Sequence, residues 1–414
     1  LINQVLTKTN ILLALRIIGV AFGYINTIIL ARGLTLNHMA DYGSTIFLIS
    51  IVVLFVDLGC SGIIVREAPS IRDVESRSIL FFSLLKKIAT SSILIVVIGL
   101  LVHLINGDGV SILIALTVTA WAFSKFTAEA TKGTLMPVHS TIANSVIPQI
   151  GFFGLILVIP LDLFNAILCL ALSRLLSFVY SYVVLTTDKV STLRKNRVTS
   201  NTDNWSPPPI LAHSTYMIYG ATLTLIPQIF IPMANLASQE KFAAWLVIGL
   251  KVSILYKTAH QSILTQYLPK MLRNVDAKDK SGFLKNSNEA ASQLRMYGLA
   301  SLLLSIGYSF FLEYTLGPEY SGISYLILPI ALGYLITSTL GPKQYLQAFL
   351  SNFDRIVGVI VILIICCMGF LILILNTNQS LTIVCLAVIS SIIFKAVIFH
   401  LLSNKKLDSI FLSC

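Results

Sequence analysis

The chain has 414 residues, of which 56% are hydrophobic and only 11% charged, and its mean hydropathy is +0.86. An ordinary soluble domain carries roughly 25% charged residues. This composition excludes a soluble enzyme or binding module and indicates an integral membrane protein.

A helix needs about 20 apolar residues to cross the ~30 Å hydrocarbon core. Apolar segments bounded by charge and turn residues predict spans at 10–30, 43–65, 79–105, 109–131, 141–160 and 162–186. Six more are predicted at 210–235, 241–267, 289–315, 321–349, 356–376 and 379–402. No ladder of short alternating strands is present, which argues against a β-barrel. The polar stretch 187–209 divides the spans six and six. The expected fold is therefore an all-α integral membrane protein of about twelve transmembrane helices in two six-helix lobes around a central cavity. The expected domains are an N-terminal lobe at 1–186, a cytoplasmic linker at 187–209, a C-terminal lobe at 210–404 and a cytoplasmic tail at 405–414.

Positive loops are retained in the cytoplasm. With the N-terminus inside, twenty Lys and Arg outside the deep membrane positions fall on one side and only Arg32 and Lys241 on the other. Both termini are expected in the cytoplasm. The net charge of +11 is then a property of topology, and no nucleic-acid partner is inferred. No charged-then-apolar segment with a small-residue cleavage site opens the chain, so no signal peptide is expected. Cys60, Cys169, Cys366, Cys367 and Cys385 lie in apolar runs without CxxC or His-Cys spacing. Neither a disulfide, nor a metal site, nor a cofactor is expected from them.

Two stretches carry a resemblance. "IILARGLTLNHMADYG" followed by "DLGCSGIIVREA" near the start, and "YTLGPEYSGISYLILPIALGYLITSTLGPKQYLQAF" in the second half, resemble polysaccharide-transport proteins of the Wzx O-antigen flippase type. The resemblance covers essentially the whole chain. It departs in the first loop, where "GLTLNHMADYG" stands in place of the Leu-Gly-Pro that usually precedes the acidic-Tyr-Gly triplet. The resemblance implies the multidrug/oligosaccharidyl-lipid/polysaccharide exporter fold in a bacterial inner membrane. It also implies an undecaprenyl-diphosphate-linked oligosaccharide as substrate, handed on to polysaccharide polymerase machinery.

Such a headgroup needs a polar path, because burying unpaired charge in hydrocarbon costs several kcal/mol or more. Ten charged residues are candidates for such a path: Arg16, Asp57, Lys125, Glu129, Arg174, Lys251, Lys257, Arg295, Glu313 and Lys395. Arg295, Glu313 and Lys395 lie toward span ends, where snorkelling suffices. Arg16 and Asp57 fall at similar depth, and Asp57 is expected to neutralise Arg16 or another basic group across adjacent helices, either structurally or as part of the transport cycle. Lys125 and Glu129, four apart on one helix face, are expected to pair with each other or to face the cavity. Asp57, Lys125 and Glu129 are thus the gating or coupling candidates.

Arg174, Lys251 and Lys257 are the deepest, and none has an acidic residue three or four positions away. With Arg16 they are the candidate substrate-binding cations, since Arg grips phosphate through a fork and Lys as a point charge. On one continuous helix Lys251 and Lys257 would point about 240° apart. His260 and Gln261 would extend the polar stripe of Lys257. Pro227 and Pro232 predict a bend in the seventh span. Trp121, Tyr216 and Tyr219 are either interfacial anchors or stacking surfaces for sugar.

Two other functions compete. A small-molecule or drug exporter of the same superfamily is one, although a cavity for cationic drugs favours acids and here basic residues dominate. A membrane polymerase or ligase acting on lipid-linked sugars is the other. Every predicted outer loop is short, and no nucleophile-base, metal or phosphate-loop motif is present, so no enzymatic role is expected. Reporter fusions test the topology: a label reaching the 187–209 loop from outside intact cells overturns it.

Overall fold

The computed structural model describes residues 2–68, 71, 74–107, 109–134, 136–193, 218, 228–237, 239–343, 361–362, 364–365 and 381–412. Helices account for nearly all of them, and no strand occurs among the described residues. In chain order they are α1 (Ile2–Gly33), α2 (Leu36–Asp57), α3 (Cys60–Glu67), α4 (Val74–Asn106) and α5 (Gly109–Gly133), then α6 (Pro137–Thr141), a π segment (Ile142–Val146), α7 (Ile147–Ile156) and α8 (Leu163–Leu193). After a stretch outside the described residues come α9 (Phe230–Leu236), α10 (Glu240–Gly249), α11 (Val252–Asp276), α12 (Lys280–Leu316), α13 (Ser324–Thr339) and α14 (Leu381–Leu412). Eight spans among the described residues are long and apolar enough to cross a membrane. Most of the predicted seventh and eleventh spans, the 187–209 loop beyond Leu193, Tyr216, Tyr219 and Pro227 lie outside the described residues.

The chain divides into two compact units. The first is Leu1–Gly33 with Leu48–Ala221, and the second is Leu34–Phe47 with Thr222–Cys414. The first half of α2 therefore belongs to the second unit. Within that unit Asn235 donates to Asp41 Oδ1 at 3.0 Å and to Ser44 Oγ at 3.3 Å. Gly43 abuts Val247 and Ile231 so closely that no Cβ would fit.

Three predicted spans are interrupted, each for a local reason. The second breaks at Leu58 and Gly59, whose φ values of 46° and 73° are left-handed. Gly tolerates this conformation, whereas for Leu it costs roughly 1–2 kcal/mol. Asp57 seals the gap, its Oδ1 accepting from Ser61 N at 3.1 Å and from Ser61 Oγ at 2.6 Å. The fifth span widens into the π segment just before Pro148. Proline has no N–H and crowds the carbonyl four residues earlier, and a wider turn relieves that crowding. The eighth span tightens at Leu250 and Lys251, where Lys251 N donates to Ile248 O at 3.0 Å.

Short polar connections are capped by their own side chains. In the atypical first loop only Leu34 and Thr35 separate α1 from α2, and Thr35 Oγ1 accepts from His38 N at 3.3 Å. Helix α12 starts earlier than the predicted 289 and has 37 residues, a length of about 55 Å at 1.5 Å per residue. Asp279 caps it, accepting from Gly282 N at 2.9 Å. That bond, with a second from Ser281, holds the Asp279 carboxyl below the usual carboxylate range.

At its far end the second unit is closed by an apolar cluster. Ile263, Tyr267, Met271 and Val275 of α11 pack with Phe283, Ala290 and Leu294 of α12 and with Leu407, Ile410 and Phe411 of α14. The α2–α3 break gives a direct test. Replacing Gly59 by Val places a branched side chain at positive φ and is expected to destabilise the detergent-purified protein by about 1–2 kcal/mol, read as a lower melting temperature.

Candidate functional site

In the first unit the intramembrane charges line one face of α5. Trp121, Lys125 and Glu129 recur every four residues, so they stack one helical turn apart. The Asp57 carboxylate, fixed at the helix break, reaches Lys125 Nζ through Oδ2 at 3.0 Å, with the Asp57 side chain only 4% exposed. Glu129 accepts from Asn144 of the π segment at 3.2 Å and pairs with Lys132 at 3.4 Å. The π segment is held by its neighbours: Ser177 Oγ donates to Ala143 O at 2.7 Å, and Gly19 of α1 sits against Ser145 O, where a Cβ would come within 2.5 Å.

Two expected pairings are corrected. Asp57 does not pair with Arg16, because the α2–α3 break turns its carboxylate toward α5 and Lys125. The Arg16 charge acts instead with that of Glu129. Nor do Lys125 and Glu129 pair. A lysine four residues before a glutamate is the less favourable order along a helix, whereas Glu129 followed by Lys132 has the favourable one.

The sequence predicts no local partner for Arg174, and no acid sits beside it on its own helix. Its guanidinium lies 4.2 Å from the centre of the Trp121 ring instead. Such a cation–π contact is worth about 0.5–2 kcal/mol depending on desolvation. Trp121 is therefore covered by Arg174 on one face, which assigns it neither of the two roles expected from sequence.

The second unit is different. Lys251 stands at the start of α11 with right-handed helical torsions, and its charge acts on Lys257. Lys395 of α14 joins them, its charge and that of Lys257 repelling each other. Each of the three lysines keeps some accessible surface, while Lys257 and Lys395 lie deep among protein atoms. His260 is buried, with Nδ1 2.7 Å from Tyr256 O. A carbonyl only accepts, so Nδ1 carries the proton and Nε2 is the acceptor of the neutral ring. Tyr256 stacks on Tyr334 at 5.5 Å between ring centres, which ties α11 to α13.

Hydropathy places Lys395 at a membrane edge because the apolar run of the last span ends at 402. The helix runs to Leu412, which puts Lys395 about 25 Å from its C-terminal end and about 21 Å from its start. The signal is present in the sequence: positions 391, 392, 398 and 399 are Ser, Ile, Ile and Phe, so Lys395 has no acidic helical neighbour, the criterion that singles out Lys257. Glu313 has a structural task, accepting from Gly322 N, Ser324 N and Ser324 Oγ at 3.1, 3.1 and 2.6 Å.

The Asp57–Lys125 pair is open to a double-mutant cycle. Lys125→Met leaves a buried carboxylate unpaired and is expected to lower stability by about 3 kcal/mol. Asp57→Asn in the same chain should recover part of that loss, with a coupling of about 1–3 kcal/mol, measured as melting temperature and folded yield. The same cycle on Arg16 and Asp57 should be additive.

No family model and no curated protein matches the chain. Solved structures do. An inward-facing multidrug resistance MATE family transporter of the MOP superfamily aligns over 97% of this chain and 98% of its own, with TM-score 0.63 and 12% identity. A MOP superfamily transporter from Pyrococcus furiosus, described as having a binding pocket of reverse polarity that suggests a different function, aligns over 97% and 96%, with TM-score 0.57 and 13% identity. The MATE multidrug transporter DinF-BH aligns over 98% and 96%, with TM-score 0.56 and 13% identity. At this identity the likeness is one of fold: the chain has the all-α, two-lobed membrane fold of twelve helices found in these transporters.

Proposed function

We propose that the chain is a membrane exporter working by alternating access, and that it moves undecaprenyl-diphosphate-linked oligosaccharide repeat units from the inner to the outer leaflet. The observation that carries the substrate's charge is the cluster of Lys251, Lys257 and Lys395 in the second unit. Cations held in a membrane-embedded interior are costly unless an anion joins them. The motif resemblance at the first loop and around Gly317–Tyr320 supports the lipid-linked substrate. The fold supports export, a task in which the protein makes and breaks no covalent bond. On this reading the chain resides in a bacterial inner membrane with both termini cytoplasmic, and its product passes to polysaccharide polymerase machinery.

A second reading is a small-molecule or drug exporter. The multidrug descriptions of the solved neighbours back it more directly than they back a lipid-linked substrate. The Pyrococcus furiosus neighbour, with its reversed pocket polarity, supports the view that this fold serves substrates of unlike charge, and the lysines here favour an anionic one.

Removing the protein from its host separates the two. Accumulation of a lipid-linked oligosaccharide on the inner leaflet, with loss of surface polysaccharide, is the outcome expected for the first. Unchanged surface polysaccharide together with raised retention of small amphiphiles would establish the second.

A further inference from the structure

We infer that the second unit by itself holds a binding site for a phosphate or diphosphate group, gripped between Lys257 of α11 and Lys395 of α14. The inference rests on the anionic substrate proposed above and deepens it, assigning the headgroup to one unit and to a lysine that lies far along the chain from the other cations.

Four observations converge. The register of the two helices is fixed: below the lysines, Ile263, Tyr267 and Met271 of α11 meet Leu407, Ile410 and Phe411 of α14 in one apolar cluster. Six residues separate Lys257 from Ile263 and twelve separate Lys395 from Leu407, so the two lysines lie about 9 and 18 Å along their helices on the N-terminal side of that floor. Each retains some accessible surface while protein atoms surround it. The floor is sealed by Tyr267, Met271, Phe283 and Leu407, which are all buried.

Among the described residues no acid neutralises the pair. The charges acting there on Lys257 and Lys395 are those of other lysines. The described carboxylates of the unit that bear on structure are engaged elsewhere: Asp41 with Asn235, Asp279 at the start of α12, and Glu313 on the 322–324 turn. Nor does either lysine Nζ have a hydrogen-bond partner among the described residues. Two like charges kept together in a medium of low dielectric repel strongly, and a dianion between them reverses the sign of that interaction.

The neighbours suit an anion. The Tyr256 carbonyl takes the Nδ1–H of His260, so the neutral ring presents Nε2 as an acceptor for an ammonium group or a protonated phosphate oxygen. The donors are also of the right kind. An ammonium group offers three donors around a point charge and binds phosphate oxygens in that way. The first unit shows the contrast, because its carboxylates Asp57 and Glu129 are already committed to Lys125, Lys132 and Asn144, and Arg174 lies on Trp121.

The test is binding by the full-length chain in nanodiscs of neutral lipid, with three probes: inorganic pyrophosphate, a short polyprenyl diphosphate, and acetate as a carboxylate of ordinary affinity. Lys257→Gln and Lys395→Gln are each expected to weaken polyprenyl diphosphate binding at least tenfold, and Lys395→Arg to keep most of it. Pyrophosphate competing with the lipid supports a site that reads the headgroup alone. Lipid binding that pyrophosphate leaves untouched overturns it. Acetate competing as well as pyrophosphate also overturns the assignment to phosphate.

Melting temperature separates misfolding from loss of the site, and Lys257→Met supplies an apolar variant of similar length. If Arg174→Gln abolishes binding while Lys257→Gln and Lys395→Gln leave it intact, the site is wrong although the anionic substrate stands. If the wild-type chain binds no diphosphate at all, the proposed substrate fails together with the site.

Discussion

Hydrocarbon offers no hydrogen bonds, so a chain that interrupts its helices inside a membrane must seal each interruption from within. Asp57 shows how. One carboxylate closes the gap between α2 and α3 through Ser61 and at the same time neutralises Lys125 of α5. The left-handed Leu58 and Gly59 persist because this anchor holds the chain on both sides of them. The π segment before Pro148 is sealed in the same manner, with Ser177 and Glu129 serving Ala143 and Asn144. The polar groups of the first unit are thus first of all the fasteners of its breaks.

The second unit uses its acids differently. Glu313 organises a turn, Asp41 takes Asn235, and no acid among the described residues balances the lysines of α11 and α14. The two units therefore differ in electrostatic character although both are helical bundles. One is internally neutralised and cross-linked by side chains. In the other, Lys257 and Lys395 have no acidic partner among the described residues.

Much of this is legible in the sequence, and the failures have specific causes. Hydropathy locates the spans of both units within the described residues and flags Asp57, Lys125, Glu129, Arg174, Lys251 and Lys257 as unusual. It does not reveal partners, because Asp57 and Lys125 are 68 residues apart and only tertiary packing brings them together. Helix ends are also misread. Apolar runs report where lipid stops, whereas α12 and α14 continue into polar sequence, "KSGFLKNSN" before 289 and "SNKKLDSIFL" after 402. Lys395 thus lies near the middle of its helix although only seven residues separate it from the end of the apolar run. The breaks at Leu58 and Leu250 escape notice because neither carries the proline that usually announces one.

The π segment also constrains how this sequence can change in length. A π turn holds one residue more than an α turn, and here that surplus residue lies between two sets of fixed contacts. Ala143, Asn144 and Ser145 are tied to Ser177, Glu129 and Gly19, and three residues beyond Val146 the Gln149 side chain and carbonyl take the amide of Asn26 at 3.2 and 2.9 Å. Deleting one residue between 142 and 146 would remove that surplus and let the segment close into ordinary α turns, so Gln149 would keep its side toward Asn26. A one-residue deletion in the regular helix on either side has no surplus to draw on and turns everything beyond it by about 100°. The segment is thus a store of slack, and it makes the chain more tolerant of a one-residue deletion there than in the regular turns around it.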